Sequence, residues 1–155
     1  FHEFHPKTTL TIIGYSPDIQ YINLVKKAIK NTKYIQLKTD NKPIPQSEII
    51  TKINDSDIAL LPYQQNPNIS ERFPTKIYDY LALGKPMVIP PNTQWKVYLD
   101  QYQAGICMDF DKYDIKSFLT ELYVTTFYRT TPKDEIQWAS QEELLLDFVQ
   151  KILSK

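Results

Sequence analysis

Ser70-Glu71-Arg72-Phe73-Pro74-Thr75-Lys76-Ile77-Tyr78-Asp79-Tyr80-Leu81-Ala82-Leu83-Gly84-Lys85-Pro86-Met87-Val88-Ile89 is the stretch that decides the fold. Proline just inside its start and glycine just past its end bracket a helix from Pro74 to Gly84. Proline's preset φ and missing N–H suit a first turn, and glycine accepts the left-handed turn after the last one. Ile77, Tyr80 and Leu81 share one face of that helix and form its core-facing stripe, while Lys76 and Asp79 lie on another. Met87-Val88-Ile89 then forms a short apolar strand stopped by Pro90-Pro91. Upstream, Asp57 opens Ile58-Ala59-Leu60-Leu61-Pro62-Tyr63, an apolar run typical of a strand covered on both faces. A glycine-free loop over residues 64–73 joins the two.

The same alternation continues outward. Residues 8–13 (Thr-Thr-Leu-Thr-Ile-Ile) predict a buried strand stopped by Gly14. From Ser16-Pro17-Asp18 onward the period turns helical, with Ile19, Ile22, Val25 and Ile29 in one stripe. Residues 34–37 predict a second strand and 38–45 a polar loop, with Pro45 at the first turn of a helix carrying Ile49, Ile50 and Ile53. Downstream come a helix over 95–102, a strand over 105–110 and a helix over 115–123. A tail helix over 135–153 is expected to face a core with Trp138, Leu145, Phe148, Val149 and Ile152. Strands and helices alternate without hairpin turn signals, which predicts right-handed βαβ crossovers. The fold class is therefore α/β: a Rossmann-like three-layer α/β/α domain with a mainly parallel sheet. No repeat, low-complexity tract or linker interrupts residues 1–155, so a single domain is expected. Ligands on such sheets bind beyond the carboxyl ends of the strands. The loops after Ile13, Leu37, Tyr63 and Ile89 are the places to search.

Composition excludes several function classes. Eighteen basic residues balance eighteen acidic ones, so no net field draws the chain to nucleic acid or to an anionic membrane. No apolar run approaches the roughly 20 residues of a membrane span. The one cysteine, Cys107, rules out an internal disulfide and suits a reducing, cytoplasmic setting. Only three glycines occur against eleven prolines, so each glycine marks a place where the backbone has little alternative.

A helix start at Pro74 offers backbone N–H groups and about half a positive charge, which suits a phosphate. Pro74 has no N–H, so Thr75 and Lys76 are the expected donors, helped by the Lys76 ammonium. Asp79, three residues on, lies on the same face as Lys76, where a carboxylate can accept both hydroxyls of a ribose. A plainer reading makes Lys76 and Asp79 an exposed i,i+3 ion pair with a small effect on stability. Tyr15-Ser16 after Gly14 could line a cleft or form an ordinary turn. Asp55-Ser56-Asp57 and Asp109-Phe110-Asp111 spell short acidic triplets that arise by chance, and no metal or cofactor is expected. His2-Glu3-Phe4-His5 spaces its histidines three apart rather than the four of a zinc-protease helix. Cys107 belongs to an apolar strand and is expected in the core.

The run from Asp57 to Tyr63, followed by Glu71 through Asp79 to Gly84-Lys85-Pro86, resembles the C-terminal, nucleotide-sugar-binding domain of bacterial-type GT-B glycosyltransferases of family 4. Glu71 and Asp79 have the family's seven-residue separation between two acids. The likeness extends back to Leu10-Thr11-Ile12-Ile13-Gly14 and forward to Ala104-Gly105-Ile106. It implies a retaining transferase in which Glu71 approaches the donor sugar and Asp79 holds the ribose, while the backbone from Phe73 to Lys76 approaches the pyrophosphate. Gly14 and Tyr15 would also line the donor site. Asp79 stands where the family usually has glutamate, one methylene longer, and Pro74 stands where a glycine often contributes an amide. The resemblance further implies that a first strand–helix unit lies outside the sequence, with residues 1–5 as the end of that helix. An acceptor-binding N-terminal domain would lie outside it as well. The basic residues that neutralise the leaving diphosphate would belong to the absent unit, so no catalytic residue is assigned. The full protein would be cytoplasmic or peripheral at the inner membrane face, and the isolated chain would not turn over. Two rivals stand beside this: a non-catalytic nucleotide- or sugar-binding module on the same fold, and a flavodoxin-like signalling or interaction domain.

Overall fold

The structure, a computed structural model, describes residues 2–64, 66–112, 114–130, 132 and 134–154. The chain divides into two compact units, Phe1–Ser56 and Asp57–Lys155.

In the first unit, β1 (Leu10–Tyr15) pairs in parallel with β2 (Ile35–Asp40), in register from Leu10↔Ile35 to Tyr15↔Asp40. Helix α1 (Ile19–Ile29) makes the crossover. It starts where it does because Asp18 accepts hydrogen bonds from the Gln20 and Tyr21 amides at 2.8 and 3.2 Å. Lys26 and Lys27 fall in its last turn, against the negative end of the helix dipole. Helix α2 (Gln46–Asn54) follows Pro45, which sits at the cap rather than inside the first turn, and packs on β1. Lys38 and Glu48 form an ion pair across β2 and α2. The His2 ring stacks on Tyr34 at 3.9 Å and donates to the Thr8 carbonyl, and residues 2–4 form a turn. Phe1 lies outside the described residues.

Two boundaries differ from the sequence expectation. Strand β1 continues through Gly14 to Tyr15, and β2 runs three residues into the segment expected to be a loop. The reason is mutual: Gly14 pairs with Thr39 and Tyr15 with Asp40, so each strand's hydrogen bonds extend the other past its local turn signals.

The second unit carries a three-stranded parallel sheet in the order β3-β4-β5: Ala59–Leu60, Met87–Ile89 and Gly105–Cys107. Between β3 and β4 come the short α3 (Pro67–Ser70), within the expected loop, and α4 (Thr75–Ala82). Gln65 of that loop lies outside the described residues. Helix α5 (Thr93–Tyr102) joins β4 to β5, and α6 (Ile115–Val124) follows β5. The central strand is almost wholly buried and its side chains alternate between two layers. Met87 and Ile89 pack with Ile77 and Leu81 of α4 and with Trp95, Leu99 and Tyr102 of α5. Val88 packs with Ile106 and Phe118 of α6. Helices therefore cover both faces, as the continuous apolar strands required.

The strands are shorter than their apolar runs. The Leu61 amide still donates to Val88 O at 2.9 Å, but Pro62 has no N–H and Tyr63 folds back onto Leu61 O. Strand β5 ends because its partner does: Met108 donates to Ile89 O, after which Pro90 and Pro91 take the neighbouring chain out of the sheet. Helix α4 ends as its sequence predicts. Gly84 takes φ +59°, Lys85 N–H bonds Tyr80 O at 2.8 Å and Gly84 N–H bonds Leu81 O at 3.1 Å, a Schellman closure.

The tail corrects a prediction. Its helix, α7, covers only Glu142–Leu153, after 3-10 turns at Asp134–Ile136 and Trp138–Gln141. Trp138, Leu145, Phe148, Val149 and Ile152 are all exposed rather than facing a core, Trp138 by 73%. Periodicity shows that a helix has an apolar face; it carries no information about which surface covers that face.

Candidate functional site

The expected site residues of the second unit gather at the carboxyl edge of its sheet. In a βαβ unit the helix runs antiparallel to the strands, so the start of α4 lies at the ends of β3 and β4. Pro74 is the N-cap, extended at φ −68° and ψ 125°, and no side chain caps the helix. By contrast, α1, α5 and α6 are capped by Asp18, Asn92 and Asp114. The Ile77 amide already bonds Pro74 O at 3.0 Å. Thr75 and Lys76 therefore supply the first-turn amides that a bound anion could use. Thr75 is exposed, and Lys76 and Asp79 are half-buried.

Lys76 Nζ stands 3.3 Å from Asp79 Oδ2, with the two side chains 42% and 37% exposed. This is the i,i+3 pair of the plainer reading. At such exposure it contributes about 0.3–0.5 kcal/mol, too little for the fold to depend on it. Phe73 turns its ring inward, 4.7 Å from Tyr98 and 5.0 Å from Tyr78, which leaves its backbone as the part available to a ligand. The Tyr78 phenol is pushed above its ordinary pKa by partial burial and by its hydrogen bond with Tyr98. Glu71 is exposed in the loop before Phe73.

That loop is tied down by two residues to which sequence reasoning assigns no such role, Trp95 at the start of the helix expected over 95–102 and Asn92, which it does not single out. Trp95 is fully buried, and its indole N–H donates to Arg72 O at 2.8 Å. Its ring meets Tyr63 edge-on at 5.8 Å. Asn92 is 9% exposed; its Oδ1 accepts from the Trp95 amide while its Nδ2 donates to Ser70 O at 3.1 Å. Helix α5 thus begins at Thr93, two residues earlier than its apolar period suggests. An Asn three residues before the first buried aromatic is a readable cap signal. At the other end of α4, Tyr128 takes φ +52° and donates to Lys85 O at 2.8 Å, with Tyr80 O at 3.3 Å. Burial raises the Tyr128 phenol far above its ordinary pKa.

Gly14 and Tyr15 belong to the first unit, at the carboxyl end of β1. With Ser16, Tyr21, Ile22 and Leu37 they line a largely apolar cleft of about 260 Å³. A larger cavity of about 480 Å³ lies elsewhere in the second unit, between the last turns of α5 and α6 and the first residue of β5. Asp100, Gln103, Glu121 and Arg129 border it, and it opens at the amino ends of the strands, opposite the edge that holds Glu71 and Asp79.

The other motifs have structural roles. Asp109 Oδ1 accepts from the amides of Asp111 and Lys112 and closes a turn; Asp55 pairs with Lys52 at 3.7 Å. Cys107 is half-buried, and burial pushes its thiol pKa up. Among the described residues no group of three or more His, Cys, Asp or Glu side chains could hold a metal ion, and no helix is long and apolar enough to cross a membrane.

Over 53 residues the chain is 38% identical to a Bacillus subtilis (strain 168) protein, TuaH, that bears the provisional name of a teichuronic acid biosynthesis glycosyltransferase. The match covers 32% of this chain and 13% of that protein. No family model matches the chain, and no solved structure matches it. The similarity supports a glycosyltransferase relationship at a coarse level.

Proposed function

We propose that this chain is the donor-binding domain of a retaining glycosyltransferase of the GT-B, family-4-like kind, taking a nucleotide-activated sugar as donor. One observation carries the reading: Lys76, in the first turn of the uncapped α4, and Asp79, one turn on, share a face at the carboxyl edge of a parallel sheet. An anion at this start would meet the Thr75 and Lys76 amides, the positive end of the helix dipole and the Lys76 ammonium. Asp79 would exchange part of its bond with Lys76 for the two hydroxyls of a ribose. Glu71 would face the sugar, held there by the loop that ends at Pro74. Leaving-group charge would be balanced by these amides and by cations, without a resident metal. The acceptor would be held by a separate N-terminal domain. The similarity to a glycosyltransferase supports the class of reaction and the resemblance around Glu71 and Asp79 supports the donor.

A non-catalytic nucleotide-binding module remains the second reading, because the observed Lys76–Asp79 ion pair needs no ligand. Calorimetric titration of UDP-glucose, GDP-mannose and ADP-glucose, with Asp79→Ala alongside, tests the assignment. One of the three should bind, and Asp79→Ala should weaken it by roughly tenfold or more, the expected loss for charge-assisted hydrogen bonds to a ribose. Equal binding by both proteins refutes the ribose role.

A further inference from the structure

We propose that Asn92 and Trp95 are positioning residues for Glu71, an inference that rests on the donor-site reading above. Two buried donors from the first turn of α5 hold the carbonyls on either side of Glu71. Asn92 Nδ2 takes Ser70 O at 3.1 Å and Trp95 Nε1 takes Arg72 O at 2.8 Å. The two donors are themselves locked together, because Asn92 Oδ1 caps the helix by accepting from the Trp95 amide at 3.1 Å. Both donor side chains are buried, Asn92 at 9% exposure and Trp95 at none, which shields each bond from water on the donor's side. The Arg72 amide adds a third constraint by bonding Ile69 O at 3.0 Å. Glu71 is thereby an exposed residue of a loop clamped on both flanks.

The arrangement has a chemical logic. An exposed carboxylate on a free loop would have to be ordered each time a sugar arrived, and that ordering would weaken the complex. A backbone fixed on both sides presents the carboxylate already oriented, which is how supporting residues sharpen a site they do not touch. The clamp springs from the residues directly after β4, the central and most buried strand. The Glu71 backbone is therefore referenced to the most buried strand of the sheet rather than to the surface. The nucleotide part of the donor would contact α4 and not the clamped segment. The tether should consequently affect recognition of the sugar and leave the nucleoside diphosphate almost untouched.

Two variants separate the tether from the fold. Asn92→Ser keeps a hydroxyl that can cap α5 but cannot span the gap to Ser70 O. Trp95→Phe keeps a buried aromatic ring and removes only the N–H donor. Cleavage by a glutamate-specific protease after Glu71, in the full chain without ligand, reads loop order directly. Cleavage after Glu142 and Glu143 serves as internal reference. Each variant should raise the Glu71 rate about fivefold or more relative to that reference, because cleavage follows the population of the open loop. In binding, both variants should mimic Glu71→Gln. Affinity for UDP-glucose, GDP-mannose or ADP-glucose, whichever the parent binds, should fall about fivefold relative to the matching free diphosphate. Unchanged cleavage overturns the tether. Equal weakening of sugar nucleotide and free diphosphate overturns the positioning role. A parent chain that binds none of the three nucleotides refutes the donor reading, and the cleavage rates then decide the tether by themselves.

Discussion

Substituting Gly105 by alanine places a methyl group where β4 already runs. A Cβ built at Gly105 lies 2.0 Å from the Met87 carbonyl oxygen and 2.9 Å from its carbon. Both are backbone atoms of the strand to which Gly105 is paired, so no rotamer change relieves the contact. Met87 cannot retreat either, because its side chain is 1% exposed and packed among Ile77, Leu81 and Trp95. The strands would have to part by about an ångström, which stretches the Met87 N–H bond to Ala104 O (2.9 Å) and the Met108 N–H bond to Ile89 O (2.8 Å). Overpacking a well-filled interior costs about 1–3 kcal/mol, and each weakened ladder bond adds up to ~1 kcal/mol. Gly105→Ala should therefore destabilise by about 3 kcal/mol, lowering the melting temperature by roughly 10 °C for a chain of this size. Gly14→Ala is the matched control, since a Cβ there meets nothing within 4 Å. It should leave stability unchanged or raise it by about 0.4–1 kcal/mol, because alanine narrows the unfolded ensemble. Circular dichroism melts and urea titrations measure both. If Gly105→Ala melts within about 2 °C of the parent, the close approach of β4 and β5 is wrong.

Three further outcomes follow from the site and its supports. Asp79→Ala should change stability by less than about 0.5 kcal/mol in urea titration, since its ion pair with Lys76 is over a third exposed; a larger loss would mean that binding defects report unfolding instead. Tyr128→Phe should cost about 1–2 kcal/mol at neutral pH by leaving the Lys85 carbonyl without its phenol donor. The folded-state pKa of Tyr128 lies above its unfolded value of about 10, so its contribution is whole below that pH and is lost as pH rises beyond it. The variant's melting temperature should therefore fall less steeply above pH ~10 than the parent's, with Tyr78 and Tyr80 keeping part of the slope; identical slopes would remove Tyr128 from the account. Burial holds Cys107 as a thiol at neutral pH, and it should react with a disulfide reagent at least about tenfold more slowly in the native chain than in urea; equal rates would place it at the surface.

The donor-site reading depends on features of very different legibility. Pro74 and Gly84 are visible in the sequence because each acts through its own backbone: one cannot donate an amide, the other accepts φ +59°. Alternating β-branched runs and amphipathic segments announce parallel strands with crossover helices for the same local reason, and parallel pairing is what the structure contains in both units. The face shared by Lys76 and Asp79 follows from helical geometry alone.

Where strands stop was not local. The lengths of β1 and β2 come from their mutual register, and β5 ends where the prolines after β4 leave it no partner; β3 alone stops at a proline of its own, Pro62. The Asn92 and Trp95 bonds to Ser70 and Arg72 span 22 and 23 residues, so no periodicity announces them. Nor does the apolar stripe of α7 name its cover. Composition and period describe what each segment prefers for itself. Long-range hydrogen bonds and packing determine which preference is satisfied, because a strand edge or a buried carbonyl is completed only by residues distant in the chain.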